Sequence, residues 1–172
     1  TRVISRGLLR LNHKKAVPKV TYTSPEIAQV GLSEVEAIDK LGSDRVMRIE
    51  VPYSSIDRTI TDSTTDGLMV VIARRLNGAV LGAHIVGTNA GELIAPFTIA
   101  IDRKISLWQL RQTIFAYPTY SLLIKKAGDY FFAAQIKSLK TDLLAAAKRH
   151  LPKLIAGIFW ITLIYTFQHY RI

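Results

Sequence analysis

The sequence of 172 residues contains no cysteine. This absence excludes a disulfide scaffold, a cysteine-ligated zinc site and any thiol chemistry carried by the chain itself. The four histidines are scattered, with no pair four residues apart and no carboxylate cluster beside them; they are His13, His84, His150 and His169. We therefore predict no metal site in this chain.

A glycine-rich nucleotide loop is also missing. The run from Gly87 to Gly91 has the spacing of neither a Walker loop nor a dinucleotide fingerprint. We interpret it as a turn between a strand and a helix, in which glycine relieves backbone strain. The sequence thus predicts no phosphate cradle here.

Acidic residues are scarce, with 13 Asp and Glu against 23 Lys and Arg. The imbalance lies in the flanks: residues 1–15 hold five basic groups and no acid, and residues 137–172 hold six basic groups and one acid. Residues 16–136 carry twelve charges of each sign. Because a nucleic-acid module needs a basic face, we predict no nucleic-acid partner, and we interpret residues 1–15 as a basic linker.

Four runs are rich in β-forming residues: Val17–Thr23, Val46–Tyr53, Gly67–Ala73 and Ala79–Gly87. Ser24-Pro25 should interrupt the first of these runs, because proline restricts the backbone of the residue before it and disfavours helix there. Asn77-Gly78 separates the last two runs, and both residues tolerate positive φ. The last two runs are therefore predicted to form an antiparallel hairpin.

Capping signals place the first helix. Ser33 and Glu36 have the spacing of a capping box, and Gly42 closes a predicted helix over residues 34–41. Asn89 and Glu92 repeat that spacing before a second helix.

The later helices are predicted at Leu93–Lys104, Leu107–Thr113 and Pro118–Ile136. Pro96 should kink the first of these or force a tight first turn, and Pro118 should occupy the first turn of the last. Together with the adjacent antiparallel strands, this order indicates an α+β fold, an antiparallel β-sheet flanked by helices.

Four stretches carry a family resemblance in the expected order: Val17–Leu32 (VPKVTYTSPEIAQVGL), Asp57-Arg58, Leu81–Gly87 with Gly91–Ile94, and Tyr117–Ser121 (YPTYS). They resemble the C-terminal dimerisation domain of the FAD-dependent pyridine nucleotide-disulfide oxidoreductases, the group of dihydrolipoamide dehydrogenase, glutathione reductase and mercuric reductase. The Asp57-Arg58 stretch is similar to the mercuric-reductase-like branch in particular. The resemblance covers residues 1–136.

The resemblance implies a dimerisation domain over residues 16–136, with residues 1–15 as the linker from an FAD domain. FAD and NAD(P)H would be bound by preceding domains of a cytoplasmic homodimer, and electrons would pass through the flavin to a cysteine pair in the FAD domain. Without cysteine or a nucleotide loop, the fragment alone is expected to bind no cofactor and to be redox-inactive. Its implied function is to complete the active site of an FAD-dependent oxidoreductase by dimerising.

One segment departs from the family. Many members carry His-Pro-Thr-x-Ser-Glu, in which the His and Glu act across the dimer interface as a proton-transferring dyad. Here the corresponding positions are Tyr117 and Leu122. Tyrosine has an unperturbed pKa of about 10 and leucine cannot titrate, so the general base is missing and dithiol substrates are disfavoured.

Two roles stay open for Tyr117: a hydrogen-bond donor to a bound substrate or metal ion, or a packing phenol at the subunit contact. The resemblance also implies that a main-chain carbonyl at Tyr117 or Pro118 approaches the FAD of the partner subunit. That contact needs no particular side chain.

Residues 137–172 have no counterpart in the family and are predicted to form a helical tail. Its apolar segment, residues 154–167, has 14 uncharged residues. As a helix it would span about 21 Å, which is shorter than a hydrocarbon core of about 30 Å. The segment either packs against protein or inserts at a bilayer surface; because it is apolar on all sides, we expect membrane contact.

That contact would be made through residues 148–172 at the inner face of the membrane, where Lys148, Arg149 and Lys153 would meet anionic headgroups. A non-catalytic, membrane-associated interaction module on the same scaffold is therefore the alternative to the enzyme interpretation.

Overall fold

The computed structural model describes residues 16–142 and 144. The chain divides into two compact units, residues 1–132 and 133–172. The described residues of the first unit form a sheet with helices, and those of the second are helical. The predicted linker over residues 1–15 and the predicted apolar segment 154–167 lie outside the described residues.

The first unit contains a five-stranded antiparallel sheet in the order β1-β2-β5-β4-β3. The strands are β1 (Lys19–Thr21), β2 (Glu26–Gly31), β3 (Val46–Pro52), β4 (Leu68–Arg74) and β5 (Val80–Gly87). The helices are α1 (Glu34–Leu41), α2 (Asp57–Thr61), α3 (Ala90–Arg103), α4 (Leu107–Gln112) and a helical stretch that begins at residue 122. The predicted α+β fold is thus confirmed.

Both faces of the sheet are covered. Val70 and Ile72 of β4 pack with Ala37 of α1 in one apolar cluster. Met69 and Val71 point to the opposite face, because side chains alternate along a strand, and they are fully buried. On that face α3 lies against β2 and β5, and its buried residues are Ala90, Leu93, Ile94, Phe97 and Ala100.

The predicted start of α1 is confirmed. Ser33 accepts a hydrogen bond from the Glu36 backbone, and the Glu36 carboxylate accepts the Ser33 N–H at 2.8 Å. Gly42 ends the helix with φ 91°. Ser106 and Gln109 form a second capping box at α4, which lies where a helix was predicted.

Asn89 is the N-cap residue of α3, as its position predicted, but the predicted capping hydrogen bond is absent. Asn89 adopts a left-handed conformation (φ 60°), and its side chain makes no capping hydrogen bond. The helix starts at Ala90, and the Gly91 N–H donates to Glu26 Oε2 of β2 at 2.8 Å. Pro96 accordingly lies inside the helix and not in its first turn.

The predicted hairpin of β4 and β5 is present, but its turn differs from the prediction. Gly78 takes positive φ (67°), whereas Asn77 does not. Asn77 instead accepts the Ala79 N–H with its side-chain oxygen, and the Gly78 N–H donates to the Arg74 carbonyl. The loop is therefore longer than a two-residue turn.

Two further elements were not predicted, β2 and α2. Pro25 does separate β1 from β2, as expected. The last helix was predicted to begin at Pro118, but it begins at residue 122, and Pro118 lies in the preceding loop. A cis peptide bond joins Tyr117 to Pro118.

Candidate functional site

Tyr117 lies in the loop that connects α4 to the last helix, and its side chain is 70% exposed. Thr119 fixes the loop locally, since its hydroxyl donates to the Ala116 carbonyl at 2.6 Å and lies 2.7 Å from the Ser121 hydroxyl. The loop thereby presents Tyr117 at the surface instead of in the core.

The Tyr117 hydroxyl donates a 2.7 Å hydrogen bond to Oδ2 of Asp57, the first residue of α2. This bond, and next the negative charge of the carboxylate, raise the pKa of Tyr117 above its ordinary value. The phenol therefore stays protonated, and its single proton is directed at Asp57. The oxygen that faces solvent is left as a hydrogen-bond acceptor, which differs from the donor role considered in the sequence analysis.

A second tyrosine of the same loop is also bound to the α2 region. The Tyr120 hydroxyl donates to Oδ2 of Asp62 at 2.9 Å and lies 2.7 Å from the Thr64 hydroxyl. Arg58 donates to the same Asp62 oxygen at 2.8 Å, which keeps the carboxylate oriented. Two carboxylates near α2 thus hold two tyrosines of one loop.

The helix α2 is itself anchored by a buried threonine. The Thr59 hydroxyl lies 2.5 Å from the Tyr53 carbonyl and 2.8 Å from the Ile56 carbonyl, and it shares one proton between these acceptors. Thr59 is fully buried. The position of Asp57 opposite Tyr117 is therefore set by the packing of α2 against the residues that follow β3.

Tyr117 and Leu122 line one open cleft of about 290 Å³. The other lining residues are Ser55, Ile56, Asp57, Lys125, Lys126 and Asp129. The structure thus brings together the two positions that the family resemblance assigns to the dyad. Pro118 is not among the lining residues.

Asp129 is the second carboxylate of the cleft. Burial raises its pKa, but hydrogen bonds from Arg111 at 2.8 Å and Lys125 at 3.2 Å outweigh this and hold the pKa below its ordinary value. Asp129 is therefore an ion-paired anion at neutral pH and unsuited to act as a proton acceptor.

The Gly87–Gly91 turn is explained by packing. A Cβ at Gly87 would collide with the Tyr53 ring, so this position needs glycine. The fully buried Tyr53 donates to the Thr88 carbonyl at 3.1 Å, and burial raises the pKa of its phenol. The turn from β5 to α3 accordingly closes over Tyr53.

No group of three or more His, Asp or Glu side chains suited to a metal ion occurs in the part of the chain that the structure describes. His84, the one histidine in that part, lies with Nε2 3.2 Å from the Leu32 carbonyl. Within residues 16–142 and 144, no helix has the length and apolar character needed to cross a membrane.

Two exposed isoleucines belong to the same region as Tyr117. Ile114, three residues before it, is 97% exposed, and Ile60 of α2 is 57% exposed.

The sequence predicted Tyr117 and Leu122 as site residues but gave no indication of Asp57 as a partner or of Lys126 as a lining residue. The Asp57-Arg58 pair was the available signal, although nothing local links it to a residue 60 positions away.

The family model described as "Pyridine nucleotide-disulphide oxidoreductase, dimerisation domain" matches residues 17–127. A dihydrolipoyl dehydrogenase from Haloferax volcanii is 34% identical over 125 residues, which cover 73% of this chain and 26% of that protein. A mercuric reductase from Bacillus cereus is 35% identical over 121 residues, 70% of this chain and 19% of that protein.

Solved structures agree with these sequence matches. The crystal structure of LpdA from Mycobacterium tuberculosis is 30% identical with a TM-score of 0.63, covering 74% of this chain and 27% of that one. The HOCl-induced flavoprotein disulfide reductase RclA from Escherichia coli, at 24% identity and a TM-score of 0.64, shares the fold over 76% of this chain and 29% of its own. The chain spans about a quarter of the length of the first curated relatives it matches.

Proposed function

Because this chain belongs to the family of pyridine nucleotide-disulphide oxidoreductase dimerisation domains, we propose that it forms a homodimer and completes the active site of an FAD-dependent, NAD(P)H-using oxidoreductase. The relatives named above are a dihydrolipoyl dehydrogenase and a mercuric reductase. Dimerisation brings the Tyr117 loop of one subunit to a pocket on the other.

The observation that carries this proposal is the exposed position of Tyr117, held by Asp57 at the edge of the cleft. Exposed apolar side chains, Ile60 and Ile114, lie on the same segments. Burying an isoleucine contributes roughly 1.5–3 kcal/mol, so this edge gains from association. Stable obligate interfaces commonly exceed about 2,000 Å².

The loop also has main-chain groups that suit a flavin of the partner. The carbonyl oxygens of Tyr117 and Pro118 accept no hydrogen bond from any described residue. Exposed carbonyls of this kind can accept a ring N–H without help from a side chain. When bound by the preceding domains, FAD would supply the electron transfer, and this chain would contribute only the loop that closes over it.

The chemistry available to this chain is limited to binding and positioning. It has no cysteine to exchange electrons, so we infer that the isolated chain does not oxidise NAD(P)H. The Tyr117 hydroxyl, with its proton held by Asp57, accepts a hydrogen bond from a substrate and orients it. With Leu122 at the second dyad position, proton exchange with a thiol is not supported.

Sedimentation of the whole 172-residue chain tests the proposal. We expect a species at twice the 19.2 kDa of one chain. Ile114→Lys should shift it to the monomer, whereas Val35→Lys should not, because Val35 is a comparably exposed residue (68%) on α1. The wild-type chain should be measured over a 100-fold range of concentration that ends at its solubility limit. A chain that stays monomeric throughout this range contradicts dimerisation.

Residues 154–167 favour a second candidate function, a membrane-associated interaction module, because they carry no charge and follow the basic residues Lys148, Arg149 and Lys153. We expect the full chain to float with anionic lipid vesicles and a chain without residues 153–172 to remain in the soluble fraction. Equal partitioning of the two forms would reject this role, and flotation does not itself test dimerisation.

A further inference from the structure

Lys126 is a cation without a counter-charge in the Tyr117 cleft. It lines the cleft and is partly buried, yet its side chain makes no ion pair or hydrogen bond with any residue in the described part of the chain. An ammonium with no partner in the cleft can form a charge-assisted hydrogen bond with a bound anion.

Neither carboxylate of the cleft forms an ion pair with Lys126. Asp57 accepts the hydroxyl proton of Tyr117 at 2.7 Å. Asp129 accepts from Arg111 and from Lys125, so this single acid is shared by two cations. The lining residues carry two positive and two negative charges, and Arg111, which pairs with Asp129 from outside the lining, adds a third positive charge.

The groups beside Lys126 suit one end of a small molecule. The Tyr117 oxygen offers an acceptor, Leu122 offers apolar contact, and Lys126 offers a charged N–H donor on a flexible side chain. A cleft of about 290 Å³ accommodates a compact ligand.

We propose that this cleft is an oxyanion subsite in which Lys126 binds a carboxylate or phosphate group of the substrate, with Tyr117 accepting a hydrogen bond from a neighbouring donor of the same molecule. The inference rests on the proposed function, since it names the chemical class of substrate that the completed pocket receives. It adds a specificity residue that the family resemblance does not supply.

Heteronuclear NMR titration of the whole chain tests the subsite, with inorganic phosphate and propionate as separate probes at constant ionic strength. We expect saturable shifts at Leu122 and Lys126 with at least one probe, and the probe that binds more tightly distinguishes a phosphate from a carboxylate ligand. Lys126→Gln should weaken that binding at least tenfold.

The matched control is Lys40→Gln, which removes an exposed lysine of α1 and the same unit of charge. It should leave the binding unchanged. Equal weakening in the two variants, or no saturable shift at the cleft with either probe, overturns the subsite. Either result leaves the dimer proposal standing if the wild-type chain still sediments as a dimer, so the two failures are distinguishable.

Discussion

Tyr117 and Asp57 lie 60 positions apart in the chain, yet the phenol of one donates to the carboxylate of the other at 2.7 Å. The pair lies in the cleft that also contains Leu122, and the family resemblance assigns the histidine and glutamate dyad to the positions of Tyr117 and Leu122. A phenol whose proton is held by a carboxylate does not exchange protons near pH 7. If this edge of the cleft positions a ligand, as proposed above, we expect it to contribute no titrating group near pH 7.

The pair can be tested by titrating Tyr117. In the wild type its pKa lies above the ordinary value, because Asp57 accepts its proton and adds negative charge nearby. Asp57→Asn removes the charge, so the pKa should fall toward about 10. NMR of the labelled Tyr117 ring as a function of pH measures this directly.

The control for that titration is Asp66→Asn, which removes the charge of an exposed carboxylate outside the cleft. It should leave the Tyr117 pKa at its raised position. An Asp57→Asn chain in which Tyr117 titrates as in the wild type would show that the charge of Asp57 does not raise the Tyr117 pKa in solution.

The hydrogen bond between Glu26 and the start of α3 should contribute measurably to the free energy of unfolding. Glu26→Ala deletes the acceptor for the Gly91 N–H and should lower the free energy of unfolding by about 1–2 kcal/mol. Glu26→Gln keeps an oxygen acceptor and should lose less. Urea denaturation followed by circular dichroism gives the values.

Asn89→Gly serves as the comparison, since the Asn89 side chain makes no capping bond and glycine tolerates its φ of 60°. It should be neutral or slightly stabilising. A larger loss from Asn89→Gly than from Glu26→Ala would mean that Asn89 caps the helix after all.

Gly87 should be intolerant of a side chain. Gly87→Ala places a Cβ on the Tyr53 ring and should cost about 2–4 kcal/mol, in the range of severe overpacking. Gly91→Ala offers a matched variant in the same turn region, because its nearest neighbours would lie at 3.3 Å. Thermal unfolding should show a large decrease in Tm for the first and a small change for the second.

Tyr53 should make the fold sensitive to alkali. Burial raises its pKa in the folded state above the ordinary value of about 10. Below pH 10 the Tyr53 phenol is protonated in both the folded and the unfolded state, and the free energy of unfolding keeps its full value. Above pH 10 the unfolded state loses this proton first, so the free energy of unfolding decreases as the pH rises.

Chemical denaturation between pH 8 and pH 11 measures this slope. Tyr53→Phe should flatten it, while lowering stability at pH 8 by about 1 kcal/mol through loss of the bond to Thr88. Tyr22→Phe, at an 81% exposed position, should keep the wild-type slope. An unchanged slope in Tyr53→Phe would assign the alkaline transition to other groups.

Local signals were sufficient for much of the fold. The capping box at Ser33 and Glu36 and the hairpin of β4 with β5 follow from residues close in sequence, and the structure contains both. β2 was missed because apolar residues fall on both of its faces: Ile27 is 46% exposed while Ala28 and Val30 are buried. Ile27 therefore interrupts the alternation of polar and apolar residues that is the usual strand signal.

Long-range contacts account for the remaining errors. The capping hydrogen bond of α3 was assigned to Asn89, but Glu26 of β2 supplies it. The role of Asp57 depends on a loop 60 residues later. Pairings of this kind are created by the fold, so no spacing in the sequence reports them.

The helix α2 contributes a single buried side chain, Thr59, while Asp57 at its start and Asp62 just after it hold Tyr117 and Tyr120. Amino-acid replacements at its outward positions can therefore re-aim the two phenols without disturbing the sheet. The positions of Tyr117 and Tyr120 can in this way vary between sequences at little risk to folding.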